Sequence, residues 1–288
     1  MREFLRLDNK LVLELKIKPK SPLLVKLGRD TEKDGKSVNT AYFILTESSN
    51  GTKIDDKTDE RCGEIYIPGS TLKGIFRTKY GEIYGNIFED KVTAKEKEEK
   101  LFGKSIGDDS LKGRIFLQDA YLFDDKKREK FYSDREEDRK KITEEEIKFR
   151  SITPIDHFSG EVIAPLMFEY TKDIFLSEVI VNNISEEELK NIYFIIRDSL
   201  NGEIRIGSSK TRGFGQIEFE IANMRLDIYN DKSEFLDRIE KYFEVDEKHT
   251  TKLGEKYLCK SLKLKDDFKQ VDIENPNEFI TALFGEVR

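Results

Sequence analysis

The stretch "IYIPGSTLKGIFRTKYGEIYG", Ile65 to Gly85, turns one kind of structure into another. A short apolar run stops at Pro68-Gly69, where proline has no amide for a ladder and glycine frees the backbone. Ser70 and Thr71 follow, and hydroxyls at such a place cap the first turn of a helix. Beyond them Leu72, Ile75, Phe76 and Ile83 recur at helical spacing, with Lys73, Arg77 and Tyr84 elsewhere on the wheel. The stretch thus predicts a helix over 71–84 with one buried stripe. Amides at a helix N-terminus beside Lys and Arg attract an anion, so Ser70, Thr71, Lys73 and Arg77 are a first candidate set for phosphate.

Upstream, "LVLELKIKPK" alternates apolar residues with Glu14, Lys16 and Lys18 and predicts a strand over 11–19 with one wet face. Downstream, "GRIFLQDAYLF" predicts a strand over 113–123, and "IFLSEVIVNN", apolar on both faces, a central strand over 174–182. Ser185 and Glu188 form a capping box for a helix over 185–201, which ends at Asn201-Gly202. A last strand spans 214–221, where Ile217, Phe219 and Ile221 alternate with Gln216, Glu218 and Glu220. In chain order this is βαββαβ, an α+β class with a ferredoxin-like or RRM-like core. Such a core sets two strands side by side at the sheet centre, a face that RNA-recognition domains use as a platform.

The core is expected within 1–222, with large insertions near 46–63, 86–112 and 124–148 and a C-terminal extension, 223–288, packed on it. The segment "DDKKREKFYSDREEDRKKITEEEIK" has no apolar stripe of useful width and reads as an exposed helix or mobile insertion. After it, "ITPIDHFSGEVIAPLMFEY" predicts a hairpin near 152–170 with its tip at Phe158–Glu161 and Asp156 as a turn residue.

Charged residues are 38% of the 288, yet hydrophobic residues reach 37% with 20 Phe and 11 Tyr, so a folded core is expected. The net charge of −7 argues against a polyanion partner unless bases cluster locally. Cys62, Cys259, His157 and His249 show no paired metal-ligand spacing, so neither a structural zinc nor a disulfide is expected. The charged N-terminus "MREFLRLDNK" is no signal peptide and no apolar run reaches the ~18 residues of a membrane span. A cytoplasmic protein with no membrane contact is expected.

The second candidate for anion contact is Gly207-Ser-Ser-Lys-Thr-Arg-Gly-Phe-Gly215. Its glycines permit positive φ and close approach, and Lys210 and Arg212 bring charge to converging amides. It is no Walker loop, because no Gly-Lys-Ser/Thr opens a helix, and no dinucleotide fingerprint, because a strand follows. A tight hairpin turn with no ligand is the alternative. Together the two glycine-bearing turns would line one groove.

"YIPGSTLKGIFRT", "GRIFLQDAYL", "TPIDHFSGEVIAPLMFEY" and "IRIGSSKTRGFGQIEFE", in this order, resemble the RAMP superfamily over residues 10–222. Within it they are similar to the backbone-subunit branch of type III CRISPR effector complexes. The resemblance implies a modified RNA-recognition fold in an antiviral ribonucleoprotein, with crRNA, target RNA and other RAMP subunits as partners and no small-molecule substrate. It implies RNA contacts at Ser70, Thr71, Lys73, Arg77, Lys210, Arg212 and Phe214, joined by Lys26 and His157, and a thumb-like hairpin that pushes between nucleotides. His157 stands where the family often has Arg, and a surface or stacking role is expected rather than a general base.

Members of that branch cut target RNA with an acidic residue in the loop after the first strand, but here Asn39 occupies the matching place in "SVNTAYFIL". An amide keeps a carbonyl ligand and loses the charge that holds a hard metal ion. A binding-only subunit is the favoured expectation. The alternative is a metal-dependent endoribonuclease using Asp34 or Asp30 with Mg2+ or Mn2+. Two rivals are a repeat-processing endoribonuclease, disfavoured because no early His exists, and a structural assembly subunit with little RNA contact.

Overall fold

The first strand, β1 (Asn9–Pro19), buries Leu11, Leu13, Leu15 and Ile17 on one face and leaves Lys10, Glu14, Lys16 and Lys18 half-buried on the other. The computed structural model describes residues 6–26, 32–33, 36–37, 40–41, 43–46, 63–87, 91–105, 110–133, 135–156, 158–161, 165–230, 234–254 and 256–285. Three two-residue strands follow β1: β2 (Glu32–Lys33), β3 (Lys36–Ser37) and β4 (Thr40–Ala41). Then come α1 (Gly69–Ile87), α2 (Lys91–Phe102), β5 (Ile115–Leu117), β6 (Tyr121–Leu122), α3 (Asp125–Phe131) and α4 (Glu136–Glu146). The chain continues through β7 (Lys148–Ile152), β8 (Leu166–Tyr170), β9 (Phe175–Asn182), α5 (Glu186–Leu200), a 3-10 turn (Lys210–Arg212) and β10 (Ile217–Ile228). It closes with α6 (Glu234–Ile239), β11 (Phe243–Val245), β12 (Thr251–Leu253), β13 (Lys256–Leu264) and α7 (Glu278–Phe284).

The main sheet runs β11-β13-β10-β1-β9-β5, with β6 beside β5 on β9 and every pair antiparallel. Its inner part, β10-β1-β9-β5, has the strand order of the split βαββαβ unit, as the sequence predicts. α1 and α5 pack on one face, where the Phe76 and Phe219 rings lie 5.5 Å apart. Ser185 caps α5 through a full capping box with Glu188, and Leu189, Ile192, Tyr193 and Ile196 are buried.

Several expectations need correction. Tyr84, placed away from the α1 stripe, is buried, whereas Ile75 is only partly so. The single strand expected over 113–123 breaks into β5 and β6, because Asp119 between them turns to the start of α1. The 124–148 segment is helical and mostly exposed, as one of its two expected forms has it, but it is two helices, α3 and α4, anchored by the buried Phe131, Ile142 and, just past α4, Ile147. Three apolar residues scattered among charges suffice once Glu64, fully buried, accepts from Arg128 Nε (2.9 Å), Tyr132 Oη (2.8 Å) and Leu122 N (2.9 Å).

The strand expected to end at 221 runs on to Ile228. The register with β1 slips between Glu14 and Leu15, so Ala222 is an extra residue on β10, and Ile221 and Met224 both reach the core although three apart. That bulge ends the period-2 pattern in the sequence without ending the strand. The expected boundary at 222/223 therefore falls inside β10, and β13 and β11 continue the sheet from it.

A second sheet, β4-β8-β7, joins the main body where Leu23 and Thr171 exchange backbone hydrogen bonds, both 3.0 Å. In it β7 and β8 form a hairpin, paired from Lys148↔Tyr170 to Ile152↔Leu166, so that its first strand starts four residues before the expected span of 152–170. At the tip Asp156 Oδ1 accepts from the amides of Phe158 and Ser159, both 2.8 Å, which holds its carboxyl below the usual range and confirms it as the turn residue.

Candidate nucleic-acid interface

The start of α1 is already occupied by a carboxylate of the same chain. Asp119 Oδ1 accepts from Gly69 N at 2.6 Å, and the Thr71 and Leu72 amides bond the Pro68 carbonyl at 2.9 and 3.3 Å. Three of the first four amides thus have internal acceptors, and Gly69 replaces the expected 71 as first helical residue. Ser70 is exposed and Thr71 half-buried. Arg77 is paired too, Nε to Glu98 Oε1 of α2 at 2.6 Å. Lys73 stays unpaired among the described residues; burial first, and the neighbouring Arg77 second, lower its pKa.

The glycine loop is built differently. Gly207 (φ 79°) and Gly215 (φ 80°) lie where a Cβ would meet the Leu24 and Ile206 carbonyl oxygens at 2.2 and 2.0 Å. These contacts accompany a clamp of backbone bonds, Ser208 N to Leu24 O (2.7 Å), Gly215 N to Pro22 O (2.8 Å) and Ile206 N to Gly215 O (2.8 Å). The clamp holds up the 3-10 turn, on which Lys210 and Arg212 are exposed with no carboxylate partner among the described residues. Lys26 is exposed two residues beyond Leu24 and bridges Phe43 through its backbone.

Phe214 departs from its expected role. Its ring is fully buried, 5.6 Å from Phe168 and 6.4 Å from Tyr170, and offers no open face for a base. The apolar packing of loop on hairpin uses it instead. Arg150 of β7 lies over the Phe214 ring (5.3 Å) and Arg212 over Phe168 (5.8 Å). The structure therefore brings the glycine loop to the hairpin. The start of α1, by contrast, leans on β5 and β6, with β9 and β1 between that edge and β10 in the sheet order. Arg150 escaped the sequence reading, although "KFRSI" alternates Lys148 and Arg150 at the period of a strand.

The open face of the main sheet is charge-neutralised by itself. Lys16 and Lys18 pair with Glu220, Lys20 with Glu218, and both Lys10 and Arg225 with Asp227. Asp30, Asp34, Asn39 and His157 lie outside the described residues. Among the described residues no group of three or more His, Cys, Asp or Glu side chains is placed to hold a metal ion, and no helix is long and apolar enough to cross a membrane.

A split βαββαβ sheet is the core that the four sequence motifs imply. The family model described as RAMP superfamily matches residues 16–218, and the chain belongs to that superfamily. It is also 28% identical, over 165 residues, to the protein named "CRISPR system Cms endoribonuclease Csm3" from Streptococcus thermophilus, covering 54% of this chain and 68% of that relative. The family match bears out the superfamily resemblance carried by the motifs, and the likeness to the Csm3 protein supports its narrower branch.

Proposed function

We propose that this chain is a crRNA-binding backbone subunit of a type III CRISPR antiviral ribonucleoprotein, holding guide RNA and its paired target beside like subunits. The observation that carries the reading is the clamped loop, where Lys210 and Arg212 stand exposed, with no carboxylate partner among the described residues, on a turn fixed by backbone bonds. Preorganised cations bind a phosphate chain without first breaking internal ion pairs. The sheet face would have to break several. A local cationic site also reconciles RNA binding with a net charge of −7.

The test is the salt dependence of single-stranded RNA binding. Each lost phosphate contact should make the slope of log K against log salt shallower by about 0.7. Lys210→Gln/Arg212→Gln should therefore flatten it by about 1.4. A slope equal to that of the unaltered protein contradicts the reading.

Binding without cleavage is the favoured form of this function, because Asn39 lacks the charge expected of a catalytic Asp. The relative's name, an endoribonuclease, supports the other form, in which Asp34 or Asp30 works with Mg2+ or Mn2+. Target-RNA cleavage in a reconstituted complex separates them. The binding-only form expects no metal-dependent cutting by the unaltered chain; cutting that Asp34→Asn or Asp30→Asn abolishes would establish the other.

A further inference from the structure

The hairpin strand β7 carries two cations on the face that meets the glycine loop. Side chains alternate across a strand, so Lys148, Arg150 and Ile152 share one face of β7, and Leu166, Phe168 and Tyr170 share the same face of β8. On that face the Phe168, Tyr170 and Phe214 rings pack together. Arg150 lies over one of them and Arg212 over its neighbour. The carboxylate of β8, Glu169, alternates to the other face, where it is buried and accepts from Phe43 N at 2.6 Å. Lys148, Arg150, Lys210 and Arg212 are all exposed, and among the described residues none has a carboxylate partner.

Two guanidiniums lying on one aromatic cluster, each with a lysine on its own element and none with a carboxylate partner among the described residues, are an arrangement that repels itself unless an anion joins it. A guanidinium lying on a ring keeps its edge N–H groups free, and those form the fork that recognises phosphate oxygens. We propose that Arg150 and Lys148 of β7 form, with Arg212 and Lys210, one composite site for consecutive phosphates of single-stranded RNA, so that the hairpin's base strand is a wall of the groove. This assignment rests on the glycine-loop reading and adds a second element to it. Arg77, held by Glu98, is not part of the site.

The experiment measures binding of a fluorescein-labelled single-stranded RNA across a salt series for the full chain and for Arg150→Gln, Arg150→Lys and Arg212→Gln. Losing a charge-assisted contact should weaken binding about tenfold for either Gln variant. The slope should become shallower by about 0.7 for each. Arg150→Lys keeps the charge and should restore the slope while leaving affinity below the original. A role confined to packing on Phe214 would lower affinity and leave the slope of Arg150→Gln untouched. That result, with Arg212→Gln still flattened, overturns the composite site and spares the loop reading. If neither variant changes the slope, both fall. Should Arg150→Gln fail to fold, Lys148→Gln replaces it, since Lys148 covers no ring among the described residues, and an unchanged slope there overturns the proposal equally.

Discussion

Two residues invert what their type and position suggest. Phe214 sits between two glycines in a cationic loop, a setting that reads as a stacking ring, yet it is buried with Phe168 and Tyr170. Phe214→Ala should therefore cost about 3–5 kcal/mol of folding stability, read as a fall in the urea midpoint. A variant as stable as the parent but unable to bind RNA would contradict that assignment. Asp119 was legible only as part of a strand, and its reach to Gly69 N belongs to tertiary structure that spacing does not encode. Asp119→Ala should destabilise by about 1–2 kcal/mol, whereas an anion-binding helix start would gain RNA affinity from the same change.

At the scale of elements, the sequence reading succeeded where a period was long and unbroken. β1, β9 and α5 fall within a residue or two of their expected spans because alternation or a capping box marks them. It stopped short at β10, where one bulge residue shifts the phase, and at α3 and α4, whose anchor is the buried Glu64 carboxylate with Arg128 rather than a wide apolar stripe. The loop was legible from glycine and charge, but not its neighbour, since only pairing with β8 puts Arg150 beside it.

The ladder between β1, β10 and β13 carries a pH dependence. Burial alone would raise the Asp227 pKa, but the Ser261 hydroxyl, Lys10 and Arg225 outweigh it and hold the carboxyl below its usual range. Glu220 is lowered by Lys18 foremost, against burial, and by Lys16. A depressed carboxylate contributes stability above its unfolded value near pH 4 and loses that contribution as pH falls through the folded value. The urea midpoint should thus drop between about pH 5 and about pH 2, and less steeply in Asp227→Asn. Equal slopes in the two proteins would show that this carboxylate does not contribute.

For the whole molecule, an acidic chain that carries the cationic seat of loop and hairpin is expected to associate with like chains on RNA and not before it. Size-exclusion chromatography with and without guide RNA checks this: elution should shift to larger species only with RNA, and assembly without RNA would favour a purely structural subunit. The most direct measurement is ultraviolet cross-linking of bound RNA followed by mass spectrometry of the peptides. Cross-links should concentrate on the peptides spanning 148–152 and 207–215. Cross-links confined to 69–77 or to the open faces of β1 and β10, with none on the loop or hairpin, would contradict the account.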